Sequence, residues 1–77
     1  MGQVRQNLVG ERVKEARSKA QLTQATLSQK LGKLGVSIDR AGVAKIEAGI
    51  RGVLDFEVVA LSKALDCKVA WLLGVKE

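Results

Sequence analysis

Few side chains in this sequence could carry out covalent or metal chemistry. The chain has no histidine and no tyrosine, and Cys67 is its single cysteine. A Ser-His or Cys-His nucleophile pair therefore cannot form, and the usual zinc ligands are missing. Gly32, Gly35 and Gly42 match no phosphate-binding loop. The carboxylates are scattered among lysines and arginines at helical spacing. These features predict a protein that is not an enzyme and that needs no cofactor, metal or small-molecule substrate.

The remaining chemical signal is positive charge. Lysine and arginine number 13 against 8 aspartates and glutamates, which gives a net charge of +5. Such a balance suits an anionic partner, of which nucleic acid is the commonest. A solvated, lysine-rich surface is an equally weighted alternative from charge alone, so the positions of the charges have to decide.

Length and composition predict one domain over residues 1–77, with a core over about 7–73. Cys67 stands in an apolar stretch and is expected to be a small buried hydrophobe, and a lone cysteine fits a reducing compartment. No apolar run is long enough to span a bilayer, and no signal-peptide pattern opens the chain. We therefore expect a cytoplasmic protein.

Apolar residues recur at helical spacing in five segments, which predicts an all-α fold of five short helices around one core. The first helix is expected over about 7–19, where one face carries Val9, Val13, Ala16 and Ala20. Thr23 is placed to cap a second helix over about 24–34 that stops at Gly35, with Leu34 facing the core.

Cap residues also delimit the later helices. Asp39 is expected to cap a third helix over about 40–48, which Gly49 ends. A fourth helix is predicted from Asp55, with its inward face formed by Val58, Leu61 and Leu65. A short fifth helix near 69–73 is closed by Gly74.

Several spaced residues resemble the Xre/Cro family of bacterial and phage regulators. The run Leu22-Thr23-Gln24, followed by Leu27 and Leu31, and the run Val43 to Gly49 resemble the family pattern "LTQ..L...L", a turn, then "I..IE.G". The resemblance covers roughly residues 9–73. It implies a compact lambda-repressor-like DNA-binding domain with a helix-turn-helix formed by helices 2 and 3. The stretch between Leu31 and Asp39 is longer than usual, which an extra turn of helix 2 and a longer loop would accommodate.

The resemblance implies a sequence-specific regulator that places the helix around 40–48 in the major groove of double-stranded DNA. Base contacts are expected from Arg40, Ala41, Gly42 and Lys45. Of these, Arg40 and Lys45 could donate to guanine, and Ala41 could pack on a thymine methyl. Gly42 either allows close approach to the groove or is simply tolerated on a surface. Phosphate contacts are expected from Thr23, Gln24, Lys30 and Arg51. The alternative for Lys30, and also for Gln24 and Arg40, is an ordinary surface position without a role in binding.

Two further features are expected to be structural. The resemblance implies an ion pair between Arg17 and Glu47. Trp71 is expected either to pack in the core or to form a dimer surface with Val69 and Leu72.

The leading interpretation is a homodimeric repressor of transcription. The alternatives are a protein-interaction module that keeps the fold but reads DNA poorly, and a DNA-binding antitoxin with a toxin partner. The main support for the protein-interaction module is the sparse reading surface of Arg40, Ala41 and Gly42, together with the longer turn.

Overall fold

Five α-helices form the part of the chain that the structure, a computed structural model, describes, namely residues 4–75. They are α1 (Gly10–Lys19), α2 (Gln24–Lys33), α3 (Arg40–Ala48), α4 (Asp55–Leu65) and α5 (Val69–Leu73). The prediction of an all-α fold is confirmed, although α1 begins at Gly10 rather than near residue 7. None of the helices within these residues has the length and apolar character to cross a membrane.

One apolar side of each helix contributes to a single core. α1 packs on α3, α4 and α5, while α2 packs on α3 and α4, and α4 packs on α5. The largest fully buried side chains come from all five helices and their ends: Val9, Val13, Leu27, Leu31, Val43, Ile46, Leu61 and Leu72. Each such side chain contributes about 1.5–3 kcal/mol of burial free energy. The core therefore fixes α3 against both α1 and α2.

Two residues that were predicted to face the core lie outside it. Leu34 is 45% exposed, although it follows the fully buried Leu31 at helical spacing. It is the C-cap of α2, so it extends past the region that the neighbouring helices cover. Ala20 is exposed for the same reason, because it is the C-cap of α1. Both predictions were wrong because helical periodicity indicates which face of a helix is apolar. It does not indicate how far along that face the neighbouring helices extend.

The connection between α2 and α3 accommodates the longer turn. α2 continues to Lys33, and Gly35 then adopts a left-handed conformation (φ +83°). Ile38 returns to the core with 4% exposure. The Ser28 hydroxyl donates a hydrogen bond to the carbonyl oxygen of Ile38 at 2.6 Å. The connection is therefore anchored to α2 at Ile38, the residue that precedes Asp39.

Residues 5–7, which we call the N-terminal strap, hold the start of α1 against the end of α3. The Asn7 amide nitrogen donates to the carbonyl oxygens of Ile46 (3.0 Å) and Arg51 (2.8 Å). Asn7 Oδ1 accepts from the backbone N–H of Gly10 at 2.7 Å. One side chain thus satisfies polar backbone groups at the end of one helix and the start of another. The sequence interpretation missed this contact, and its only local signal is an asparagine three residues before the helix start.

The rest of the strap binds the last turn of α3. Arg5 Nη2 donates to the carbonyl oxygen of Glu47 at 3.0 Å. The backbone N–H of Gln6 donates to the carbonyl oxygen of Gly49 at 2.7 Å. A cation at a helix C-terminus is favourable because carbonyl groups there lack intrahelical partners. The strap therefore stabilises the end of α3 from outside the core.

Gly10 is expected to tolerate no side chain. A Cβ at this position would collide with the carbonyl oxygen of Ile46 and lie 2.9 Å from Asn7 Oδ1. We expect Gly10→Ala to lower the free energy of unfolding by about 1–3 kcal/mol, as overpacking does. Urea unfolding measures this value.

Gly32 provides the matched control for Gly10. It lies within α2, and nothing stands within 4 Å of a Cβ built there. Because alanine is the better helix former, Gly32→Ala should raise the free energy of unfolding by up to about 1 kcal/mol. Equal stability of the Gly10→Ala variant and the unaltered chain would show that α1 can shift away from α3.

Candidate nucleic-acid interface

The outward side of α3 carries two cations among small residues. Arg40, Ala41, Lys45 and Ala48 are exposed, whereas Val43 and Ile46 on the opposite side are fully buried. Residues 41, 45 and 48 recur at the spacing of one helix face. We call these four exposed residues the α3 face. Its small side chains allow close approach of another surface, and its two cations supply hydrogen-bond donors at that surface.

The donors of the α3 face are not used within the fold. The side chains of Arg40 and Lys45 make no hydrogen bond or ion pair with any other residue among 4–75. The chain's other four arginines all donate to protein groups: Arg5, Arg12, Arg17 and Arg51. Arg40 therefore differs from them in having its guanidinium directed to solvent.

Asp39 sets the start of the α3 face. Its carboxylate accepts a hydrogen bond from the backbone N–H of Gly42 at 2.7 Å, and its own backbone is extended. The helix therefore begins at Arg40, with Arg40 and Ala41 in the first turn. At the other end, Gly49 takes a left-handed conformation (φ +78°) and closes the helix. The predicted bounds of α3 are found in the structure.

Gly42 has a packing role within the fold. Neither of its two sequence interpretations, close approach to the groove or tolerance on a surface, included this role. A Cβ at Gly42 would lie 2.9 Å from Ile38 Cγ2 and 3.1 Å from Asp39 Oδ1. Ile38 is buried, so its branched methyl group has little room to move. Gly42 thus makes space for the residue that anchors the α2–α3 connection.

We expect Gly42→Ala to destabilise the fold despite the better helix propensity of alanine. The overpacking cost of about 1–3 kcal/mol exceeds the propensity gain of up to about 1 kcal/mol. Thermal unfolding compared with the Gly32→Ala control measures the difference. An increase in stability would mean that Gly42 is only tolerated on the surface.

Glu47 joins three helices through buried polar contacts. Arg17 donates to its carboxylate through Nε (2.6 Å) and Nη2 (3.0 Å), and Gln24 Nε2 donates at 3.1 Å. The side chains of Glu47 and Arg17 are only 4% and 14% exposed. The Glu47 hydrogen bond raises the pKa of Arg17. Arg17 also donates to the carbonyl oxygen of Leu22 at 2.8 Å. This network fixes the start of α2 and the body of α3 to α1.

The start of α2 brings two predicted phosphate-contacting residues together. Thr23 is the N-cap, and its hydroxyl accepts from the backbone N–H of Thr26 at 3.0 Å. Gln24 is the first helical residue and gives one amide hydrogen to Glu47. An amide nitrogen carries two hydrogens, so Gln24 retains a donor for a ligand. These two residues lie at the positive end of the α2 dipole.

Arg51 is bound within the fold. Its guanidinium donates to Glu57 through two bonds of 3.1 Å each, and also to the carbonyl oxygen of Gly52 at 2.8 Å. Glu57 additionally accepts from the backbone N–H of Leu54 at 2.9 Å, at the start of α4. This placement argues against the predicted phosphate contact, because the charge and three donor bonds of Arg51 serve the α3–α4 loop.

Acid is expected to weaken the loop that Arg51 and Glu57 hold. Hydrogen bonds from Arg51 and Leu54 lower the pKa of Glu57. A carboxylate with a lowered folded-state pKa stabilises the fold above its unfolded pKa, and that contribution is lost as the pH falls through the folded value. We expect the free energy of unfolding to fall below about pH 4.3 and this fall to be shallower for Glu57→Gln. Urea unfolding across a pH series measures both slopes, and equal slopes would contradict the assignment.

Lys30 lies away from the other predicted contacts. It borders a depression together with Lys33 of the same helix and Lys63 of α4. Lys30 follows Gln24 by six residues, which turns it by about 240° around the helix axis. The structure therefore does not bring Lys30 together with Gln24 or with the α3 face.

The prediction that Leu72 belongs to a dimer surface is wrong, because its side chain is fully buried in the core. Val69 and Trp71 are half-buried and pack against that core. The Arg12 guanidinium stacks 5.0 Å from the centre of the Trp71 ring and donates to its carbonyl oxygen at 2.6 Å. Cys67, also half-buried, has a pKa raised by burial and by Asp66. Of the three residues predicted to form a dimer surface, Val69 and Trp71 keep partly exposed side chains that a partner could contact.

Comparison with known proteins matches this architecture. The sequence model of a family described as Helix-turn-helix matches residues 13–72. The P22 c2 repressor, solved in complex with the synthetic operator 9T, is 31% identical, with a TM-score of 0.73 over 91% of this chain and 98% of that one. The restriction-modification controller protein C.AhdI from Aeromonas hydrophila is 34% identical, with a TM-score of 0.73 over 84% of this chain and 90% of that one. No curated protein sequence matches the chain.

Proposed function

The chain belongs to the Xre/Cro family of helix-turn-helix regulators, and from that premise we propose that it binds specific double-stranded DNA sequences to regulate transcription in the cytoplasm. In this proposal α3 enters the major groove. The reading residues are Arg40, Ala41 and Lys45, and Gly42 serves the fold beneath them. The function is binding, with no catalytic step.

One observation carries the proposal: the α3 face presents two cations, neither paired with another residue among 4–75, on an otherwise small-residue helix surface. A major groove about 12 Å wide admits an α-helix, and the small side chains let the backbone approach. Arginine and lysine are the side chains that most often donate to guanine O6 and N7. Ala41 supplies an apolar contact of the kind that a thymine methyl accepts.

The start of α2 supports the proposed placement of α3 in the major groove. Helix N-termini bind phosphate through free backbone N–H groups and the helix dipole. Thr23 and Gln24 stand at this terminus, and Gln24 also touches Glu47 on α3. A phosphate bound there would therefore position α3 relative to the DNA backbone. Lys30 and Arg51 are left out of this phosphate contact.

We extend the proposal to a homodimeric repressor. The P22 c2 repressor is similar over nearly its whole chain and was solved with an operator, which supports operator binding here. A dimer would place two copies of α3 on half-sites about 34 Å apart, on one side of the duplex. The outer parts of Val69 and Trp71 are the proposed contact between protomers.

Selection from a randomised duplex library tests the function. We expect an inverted-repeat site that the protein prefers over a scrambled duplex by about 10³-fold or more, with affinity that falls steeply with salt. A single half-site would retain DNA recognition and refute the dimer. No enriched sequence would refute specific DNA binding. A reporter whose promoter overlaps the selected site then separates repression from activation.

A further inference from the structure

An exposed apolar groove runs between the end of α2 and the outer side of α4. Its floor is formed by Leu34, Val36, Phe56, Val59 and Ala60. Leu34, Phe56 and Val59 are 45%, 58% and 44% exposed. The depression continues along Lys30, Lys33 and Ala64, and the two parts share Leu34 and Lys63. We call it the α2–α4 groove.

The charged residues that line the α2–α4 groove are all lysines: Lys30, Lys33 and Lys63. None of their side chains makes a hydrogen bond or ion pair with another residue of the described chain, 4–75. No aspartate or glutamate of the described residues lines the groove. The groove therefore combines an uncovered apolar floor with unneutralised positive charge at its edge.

We propose that the α2–α4 groove binds an amphipathic helix of another protein, one that carries acidic residues beside its apolar stripe. An amphipathic helix buries its apolar anchors in such a groove. Carboxylates on its flanks would pair with the three lysines, and charge complementarity of this kind selects the partner and orients it.

The chemistry of the groove disfavours two other occupants, namely DNA and a second copy of this chain. DNA would neutralise the lysines but would leave Leu34, Phe56 and Val59 uncovered. A second copy of this chain, paired symmetrically through the groove, would bring like-charged lysines of both copies together. No residue of α3 lines the groove, so the partner helix and a DNA duplex on the α3 face occupy separate surfaces. A regulator bound to DNA could thus hold a second protein.

A synthetic peptide tests the proposal. The probe is a helix of about four turns with leucines along one stripe and glutamates on both flanks. One control peptide replaces every glutamate with lysine, and another is a scramble of the acidic sequence. We expect the acidic peptide to bind at least about 10-fold more tightly than either control. Its amide shift changes in NMR spectra should centre on Leu34, Phe56 and Val59.

Two sets of variants separate the contribution of the apolar floor from that of the lysines. Phe56→Ser with Val59→Ser should abolish binding while leaving the melting temperature close to that of the unaltered chain, because both side chains are exposed. Lys33→Glu with Lys63→Glu should transfer the preference to the lysine peptide. Acidic and scrambled peptides of equal affinity would overturn the proposal. So would self-association that Val59→Ser removes, since a second copy would then be the occupant. Displacement of the peptide by duplex DNA would assign the lysines to DNA instead.

Discussion

Glu47→Ala is expected to lower the free energy of unfolding by about 3–5 kcal/mol, because it leaves the charge of Arg17 without its partner in a mostly buried site. Arg17 loses two hydrogen bonds, and Gln24 loses its contact with α3. A domain of this length is stable by only about 4–12 kcal/mol. The substitution therefore removes a large part of the total. Urea unfolding monitored by circular dichroism measures it.

Two further variants serve as controls for Glu47→Ala. Glu15→Ala removes an exposed glutamate that pairs with Lys19 at 3.3 Å, and it should change stability by less than about 1 kcal/mol. Replacing both partners, as Arg17→Met with Glu47→Leu, should recover much of the loss, since no charge is then stranded. If Glu47→Ala unfolded at the same urea concentration as the unaltered chain, the network would have no stabilising role.

Arg40→Ala combined with Lys45→Ala is expected to abolish preference for a selected DNA site. Each good contact with a base discriminates by about 1–3 kcal/mol, so the pair should cost on the order of 30-fold to 10⁴-fold in specific affinity. The melting temperature should hardly change, because neither side chain has a partner within residues 4–75. Fluorescence anisotropy with the selected and scrambled duplexes measures both affinities.

A control pair with the same change in charge is available away from the α3 face. Lys33→Ala with Lys63→Ala removes two positive charges from the α2–α4 groove, which contains no α3 residue. This variant should keep its preference for the selected site and lose only a little overall affinity through the lower net charge. Equal losses in the two double variants would mean that DNA attraction is only a general effect of net charge.

Several parts of the architecture were predictable because their signals are local. α3 lies between Asp39 and Gly49 as predicted, since a capping carboxylate and a left-handed glycine act on the residues next to them. The inward residues of α4, Val58, Leu61 and Leu65, follow from helical periodicity alone. The pairing of Arg17 with Glu47, by contrast, was implied only by the family resemblance.

Contacts between distant segments could not be predicted in this way. Asn7 bonds with Ile46 and Arg51, and a contact across so many residues depends on how α1 crosses α3. The pairing of Arg51 with Glu57 likewise depends on the path of the loop before α4. Nothing near Arg51 in the sequence distinguishes a phosphate-binding arginine from one that is bound within the fold.

The sequence by itself determined five helices, the caps at Thr23, Asp39 and Gly49, and an excess of positive charge. The family resemblance added three of the four residues of the α3 face: Arg40, Ala41 and Lys45. Only the tertiary structure decided that Leu72 is buried while Leu34 is exposed, although both are apolar residues at helical spacing. It also decided that Lys30 lies beside α4, away from α3. The physical reason is that periodicity specifies which side of a helix is apolar, whereas burial and charge pairing depend on which other helices cover that side and how far they extend.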